Sequence, residues 1–154
     1  MREIHITAAV EAAMKEHAAE CYPDEACGII VERGDVLEAV RVTNIQNERH
    51  AQDPQHYPRS AHTAYSMGPD VLPFLLEAER GSLRLHAFYH SHPDHEAYFS
   101  DEDKISALSG WDEPSYPAAG QIVYSVRERN VRYAKAFVWD ETRRDFVEVP
   151  LVVS

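Results

Sequence analysis

Residues 83–103 constrain the fold most, because a strand pattern, a proline and a helix start follow one another closely there. Residues 83–90 alternate loosely between apolar and polar side chains, which is typical of a buried strand. Pro93 ends that pattern, and Ser100 with Asp103 three positions later predicts a capping box, the start of a helix that closes near Gly110. A strand followed directly by a helix favours a sheet with helices packed on it.

The remaining segments alternate in the same way. One helix is predicted from the N-cap Thr7 to Pro23, and a second covers about residues 70–80 and ends at Gly81. Strands are predicted at 26–32 and 35–43 (a hairpin), about 64–67, 120–127, 130–139 and 145–153. Residues 44–61 lack apolar periodicity and predict a binding loop. We therefore expect a single domain over residues 1–154, an α/β fold whose mixed sheet is flanked by helices.

Charge and composition exclude several classes of protein. Asp and Glu number 26 against 15 Lys and Arg, a net charge of −11, and no basic cluster is present, so we expect no nucleic-acid partner. No apolar run approaches the ~20 residues that span a bilayer, and the N-terminus lacks a secretory stretch. Cys21 and Cys27 are too few for a disulfide scaffold. A cytoplasmic protein with reduced thiols and no membrane association is predicted, and the oligomeric state is left open.

The chemistry-bearing residues lie at the end of the predicted strand. Residues two apart on a strand point to the same side, so His90 and His92 present both imidazoles in one direction. Asp103, in the first turn of the next helix, can reach back toward them. Two His and one carboxylate leave a fourth tetrahedral position open, as in catalytic zinc sites. The structural alternative is that Ser100 and Asp103 only cap the helix and that the two His have no ligand role.

The whole pattern resembles the signature of the JAMM (MPN+) zinc metalloproteases, most closely their small stand-alone prokaryotic members. That signature is a Glu upstream, H-[ST]-H-P, seven residues, then a Ser and an Asp three later. The stretch 90–93 (HSHP), Ser100 and Asp103 fit this spacing, and 23–30 (PDEACGII) fits the usual context of the upstream Glu, here Glu25. The resemblance implies a three-layered α/β/α MPN-type domain with a cytidine-deaminase-like architecture.

The same resemblance implies a mechanism and a substrate class. One Zn²⁺ per chain would be held by His90, His92 and Asp103. Glu25 would act as general base, and Ser100 would donate a hydrogen bond to the oxyanion. The bond cut would be the amide after the C-terminal Gly-Gly of a ubiquitin-like protein or sulfur carrier. An adduct, an extension or a lysine-linked protein would be released, and the pathway is left open.

Three other classes of function compete with the metalloprotease. A non-catalytic MPN scaffold that binds partner proteins is the main alternative, although such relatives usually lack part of the signature. A nucleobase deaminase needs H-x-E and P-C-x-x-C, which this sequence lacks. A structural zinc site would need a fourth ligand, for which His95 is the nearby candidate.

Several further residues have both a structural and a functional interpretation. His95 is predicted to face solvent or substrate, and Cys27 to be buried without a chemical role. The loop histidines and the aromatic residues after the catalytic helix could contact substrate, although a solvated loop and ordinary packing are the simpler interpretations. These residues are His50, His56, His62, Trp111 and Tyr116.

Overall fold

The computed structural model describes residues 2–108 and 111–154. Eight strands form two sheets. The strands are β1 (Ile4–Ile6), β2 (Cys27–Arg33), β3 (Val36–Val42), β4 (Arg84–Pro93), β5 (Gly120–Arg127), β6 (Asn130–Asp140), β7 (Asp145–Val149) and β8 (Leu151–Val153). Six of them form a sheet of order β3-β2-β4-β5-β6-β7, and β1 pairs with β8 in a separate two-stranded sheet.

The six-stranded sheet is mixed, as predicted. Its central pair, β4 and β5, is parallel, and the other neighbouring strands are antiparallel. A parallel pair needs a crossover connection, and the segment between β4 and β5 contains the helix of residues Asp101–Leu108. In the β4–β5 register Phe88 lies beside Gln121 and His90 beside Val123.

The described residues contain four α-helices, α1 (Ala8–Cys21), α2 (Gln46–Gln52), α3 (Leu72–Arg80) and α4 (Asp101–Leu108). Of these, α1, α3 and α4 pack on the faces of this sheet. Residues of α1 pack with one face, where Met14 contacts the cluster that contains Tyr89 and Ile122. Partly buried residues of α3 and α4 pack against the opposite face. The predicted α/β fold with flanking helices is therefore confirmed.

Local capping explains where the helices begin and end. The Thr7 side chain accepts a hydrogen bond from the Val10 N–H, which caps α1 as predicted. Gly81 adopts φ 82° at the end of α3, a left-handed conformation that glycine tolerates without strain. The predicted end of the last helix, near Gly110, lies outside the described residues.

Two predicted segments differ from the structure. Residues 44–61 are not entirely a loop, because α2 lies within them. This helix buries only Gln46 and so leaves no apolar periodicity in the sequence. The predicted strand at 64–67 reduces to one bridge between Asn44 and Met67.

The predicted terminal strand 145–153 is divided at Pro150. Pro150 has no N–H to donate to a ladder, and the chain there passes from β7 in the large sheet to β8 beside β1. Ile4 donates its N–H to the Pro150 carbonyl oxygen at 3.0 Å. The strand β1 was not predicted, because three residues are too few for a recognisable alternation.

No helix within the described ranges is both long and apolar enough to cross a membrane. Cys21 and Cys27 both carry free thiols, as expected.

Candidate metal centre

The end of β4 carries the two histidines of the signature. His90 and His92 alternate with Ser91, so both imidazoles leave the same face of the sheet, as predicted, while Ser91 points to the other face. The Ser91 hydroxyl accepts a hydrogen bond from the Ala26 N–H at 2.8 Å. This contact ties β4 to the residue that follows Glu25.

A reciprocal capping box at the start of α4 positions the carboxylate. Asp103 donates its N–H to the Ser100 Oγ at 3.1 Å, and Asp103 Oδ2 accepts the Ser100 N–H at 3.0 Å. The same Oδ2 lies 3.1 Å from His90 Nε2 and 3.2 Å from His92 Nε2. The two Nε2 atoms are themselves 3.1 Å apart. The predicted capping box is therefore present, and it holds the Asp103 carboxylate beside both imidazoles.

The spacing of these three atoms suits a zinc ion. Ligand atoms ~2.0–2.1 Å from one tetrahedral ion lie roughly 3.3 Å from each other, close to the separations found here. The His92 Nδ1–H donates to the Glu96 carbonyl oxygen at 2.8 Å, so the neutral form of this imidazole presents its lone pair on Nε2. In that form Nε2 and the nearby Asp103 oxygen are both acceptors, and a metal cation between them would satisfy both.

The ring of His90 makes a further contact, with the aromatic ring of Tyr65. His90 is fully buried, its ring stacks on Tyr65 with 4.6 Å between centroids, and its Nδ1 has no hydrogen-bond partner among the described residues. Tyr65 was not singled out by the sequence, because it lies in the segment predicted only as a short strand. Its aromatic ring fixes the orientation of the imidazole.

Glu25 lies beside the two histidines. Its carboxylate is buried, Oε1 has no hydrogen-bond partner among the described residues, and its ligand atom lies within 4.8 Å of those of His90 and His92. Glu25, His90 and His92 therefore form a buried group that could hold a metal ion. Its main chain is fixed by a hydrogen bond from the Glu25 N–H to the Ala61 carbonyl oxygen at 2.8 Å.

The pKa values of Glu25 and Asp103 are shifted in opposite directions. Burial, reinforced by the negative charge of Asp103, raises the pKa of Glu25 well above its usual value, and Arg59 opposes this rise. Burial also acts to raise the pKa of Asp103, but the imidazoles of His90 and His92 outweigh it and hold that pKa far below its usual range. One carboxylate is thus suited to carry a proton and the other to remain ionised.

A cleft of about 80 Å³ opens onto this group. It is lined by Glu25, Arg59, Thr63, His92, His95, Tyr98, Ser100, Glu102 and Asp103. All the predicted site residues except the fully buried His90 therefore reach one small opening. Arg59 comes from the predicted binding loop and Thr63 from the residues just after it, but no local motif marked them individually.

A larger cavity of about 320 Å³ adjoins the cluster on the side of Tyr65. Tyr65, Phe88 and Tyr116 contribute aromatic walls, and the buried Gln121 lines it with an Oε1 that has no hydrogen-bond partner among the described residues. Tyr116 packs against Phe88 with ring centroids 5.9 Å apart. Trp111, by contrast, is 74% exposed.

The remaining histidines have local partners or face solvent. His50 lies 2.7 Å from the Tyr57 carbonyl oxygen, His56 pairs with Asp53, and the His62 ring contacts the Pro23 carbonyl oxygen. His95 is exposed and lines the cleft.

Cys27 is buried, as predicted, and burial raises the pKa of its thiol, so the thiol stays protonated at neutral pH.

Comparison with known proteins agrees with this architecture. The family model for prokaryotic homologs of the JAB domain matches residues 7–139. The search of curated proteins returned no match. A protein of Desulfitobacterium hafniense, solved in solution, superposes with a TM-score of 0.68 at 22% identity, over 98% of this chain and 92% of that chain.

Two further solved structures share the fold. A protein of Salinibacter ruber gives a TM-score of 0.62 at 23% identity, over 100% of this chain and 92% of that chain. A JAB1/MPN domain protein from Archaeoglobus fulgidus gives 0.50 at 16% identity, over 99% of both chains. The matched family model and these folds show that the chain belongs to the prokaryotic homologs of the JAB domain.

Proposed function

We propose that the protein is a zinc metallopeptidase or isopeptidase that hydrolyses the amide after the C-terminal Gly-Gly of a ubiquitin-like protein or sulfur carrier. The observation that carries this proposal is the convergence of His90 Nε2, His92 Nε2 and Asp103 Oδ2 at 3.1–3.2 Å. Partner binding alone, as in a non-catalytic scaffold, gives no reason for three buried ligand atoms to converge at the spacing of a metal site.

His90, His92 and Asp103 would hold the zinc ion. Zinc in such a three-ligand site lowers the pKa of water toward roughly 7 and polarises a carbonyl group. The His92 ring is kept in the ligating orientation by its contact with the Glu96 carbonyl oxygen. Asp103 is kept in place by the capping box with Ser100.

Glu25 would move the proton. It accepts a proton from the attacking water as the new carbon–oxygen bond forms, and it delivers that proton to the leaving nitrogen as the carbon–nitrogen bond breaks. Its buried position and raised pKa support this role, because a shuttle must both gain and lose a proton near the working pH.

Ser100 would stabilise the oxyanion. Its Oγ accepts the Asp103 N–H through a lone pair, so the hydroxyl proton stays available for donation to substrate. Loss of one such donor costs ~10²–10³ in rate.

The size of the cleft supports a glycine-containing substrate. An opening of about 80 Å³ admits a backbone more readily than bulky side chains, and glycine lacks a side chain. The larger aromatic cavity next to Tyr65 would receive the residues that precede Gly-Gly.

The test combines metal analysis with an assay. The parent protein, Glu25→Gln and Glu38→Gln are purified, their zinc content is measured, and each is mixed with a ubiquitin-like protein whose terminal Gly-Gly is joined to a reporter amine. Glu38 provides the matched control, because it makes the same change at an exposed position of β3. We expect Glu25→Gln to bind zinc like the parent but to lose ~10²–10⁴ in rate.

Two results would contradict the proposal. A Glu25→Gln variant that binds zinc and cleaves as fast as the parent would show that Glu25 does not transfer the proton. A parent protein that takes up no zinc in the absence of chelators would contradict the proposal that it is a zinc metallopeptidase.

A further inference from the structure

The cleft contains one permanent cation among the described residues that line it, the guanidinium of Arg59. The proton shuttle, the oxyanion donor and the zinc ligands leave Arg59 without a role. An arginine at the mouth of a small catalytic cleft is suited to bind a carboxylate, because its planar fork of donors matches two oxygens.

Arg59 is held at this position by the main chain around it. The buried Gln46 donates its Nε2–H to the Arg59 carbonyl oxygen at 2.9 Å. Two residues later, Ala61 accepts the N–H of Glu25 and donates its own N–H to Asn47 Oδ1, both at 2.8 Å. The loop that carries Arg59 is thus bonded directly to the residue that would deliver the proton.

The side chain of Arg59 is oriented by one ion pair that does not use all of its hydrogen-bond donors. Its Nη2 donates to Glu102 Oε1 at 2.8 Å, in a pair that is about half exposed at the rim of the cleft. A guanidinium carries five N–H donors, so this pair uses one and leaves others for a ligand. The charge of Arg59 also reaches the Glu25 carboxylate, where it opposes the rise in pKa.

The geometry of the leaving group connects Arg59 with a substrate class. In an α-amino acid the nitrogen and the carboxylate carbon share one Cα and lie roughly 2.5 Å apart. A carboxylate would therefore lie beside the nitrogen that receives the proton from Glu25, in the cleft that Glu25 and Arg59 both line. The leaving nitrogen of a lysine side chain also becomes an ammonium, but it carries only methylene groups nearby and so offers Arg59 no carboxylate to bind.

We propose that Arg59 binds the free α-carboxylate of the leaving group, so that the preferred substrate is a ubiquitin-like protein whose Gly-Gly is followed by a single amino acid. This inference rests on the proposed function and selects one scissile bond among those left open. Arg59 is thereby a specificity-determining residue, and Glu102 is its positioning partner.

The experiment compares two substrates that differ only in charge. Both carry Gly-Gly followed by one alanine, which ends in a carboxylate in the first and in a neutral carboxamide in the second. The zinc-loaded parent, Arg59→Gln, Arg59→Lys and Arg33→Gln are assayed for kcat/KM on each. Arg33 is the matched control, because it forms an exposed ion pair with Glu77 and does not line the cleft.

We expect the parent and Arg33→Gln to prefer the carboxylate substrate about tenfold to a hundredfold, the contribution of a charged hydrogen bond. In Arg59→Gln this ratio falls toward one, and Arg59→Lys retains part of it.

Failure of this inference can be told apart from failure of the proposed function. A parent that cleaves both substrates equally, or a Gly-Gly–lysine isopeptide faster than either, overturns the role of Arg59 and leaves the peptidase intact. An Arg59→Gln variant that slows both substrates to the same extent shows a merely structural role and also overturns it. A zinc-loaded parent that cleaves none of them overturns the proposed function and this inference together.

Discussion

The two faces of β4 bury histidines in opposite ways. On the α1 face, His17 Nδ1 and the Tyr89 hydroxyl lie 2.7 Å apart and form a complementary donor–acceptor pair. On the α4 face, the imidazoles of His90 and His92 meet a carboxylate oxygen and each other at 3.1–3.2 Å. Burial is similar on both faces, but only the second brings three possible metal ligands, two imidazole nitrogens and a carboxylate oxygen, within 3.2 Å of one another.

This difference shows that a buried histidine is not by itself a sign of a site. Burial and the charge of Arg41 lower the pKa of His17 to about 4, with Glu20 partly opposing them, so His17 is neutral at pH 7 and its hydrogen bond completes the core. Convergence of acceptors is the informative property, because a cation is the simplest group that satisfies several of them.

The largest expected change in stability comes from a substitution at Gly28, next to the Tyr89–His17 pair on the α1 face. A Cβ at this position would lie 2.3 Å from the Tyr89 ring, whose hydroxyl is bonded to His17. We expect Gly28→Ala to lower the free energy of unfolding by about 3 kcal/mol, measured by denaturant titration. The control is Gly120→Ala, where the added Cβ meets the flexible end of Ile4 and costs less. Equal losses at both positions would argue against a rigid Tyr89–His17 pair.

The pH dependence of stability gives the next largest effect. Because the His17 pKa is about 4 in the folded protein and ~6.5 when unfolded, the unfolded chain binds a proton more readily. The contribution of neutral His17 is complete above pH ~6.5 and is lost as the pH falls from there toward 4.

Between pH 8 and pH 5 we expect the free energy of unfolding of the parent to fall by up to about 2 kcal/mol more than that of His17→Gln. Urea titrations at both pH values measure this. Parallel pH profiles in the two proteins would exclude His17 as the titrating group.

The smallest expected effect on stability lies on the α4 face. Ser100→Ala removes the cap of α4 and should lower the free energy of unfolding by about 1 kcal/mol. Ser100→Thr keeps a hydroxyl and should restore most of it. Stability unchanged in Ser100→Ala would show that Asp103 is positioned without the capping box.

Local patterns made much of the site predictable. The H-x-H spacing places both imidazoles on one face of a strand, and the Ser100–Asp103 spacing is a property of a single helix turn, so neither depends on the rest of the fold. Glu25 was predicted only through its family context, because the Ala61 contact that fixes it is long-range.

Features that depend on distant contacts could not be predicted. Arg59 comes from the segment without apolar periodicity and Tyr65 from the short strand predicted after it. The approach of Arg59 to Glu25 and of Tyr65 to His90 depends on long-range contacts such as the hydrogen bond from Gln46 to the Arg59 carbonyl oxygen. The helix α2 was missed because it buries only Gln46, and β1 was missed because three residues are too few for a recognisable alternation.

Zinc binding tests the difference between the two faces most directly. The parent, His17→Gln and His92→Ala are stripped of metal, titrated with zinc and analysed for bound metal after removal of the excess. We expect one zinc per chain in the parent and in His17→Gln, and a loss of binding in His92→Ala. A parent that binds no zinc, or a His92→Ala variant that binds it as tightly as the parent, would contradict a zinc site on the α4 face.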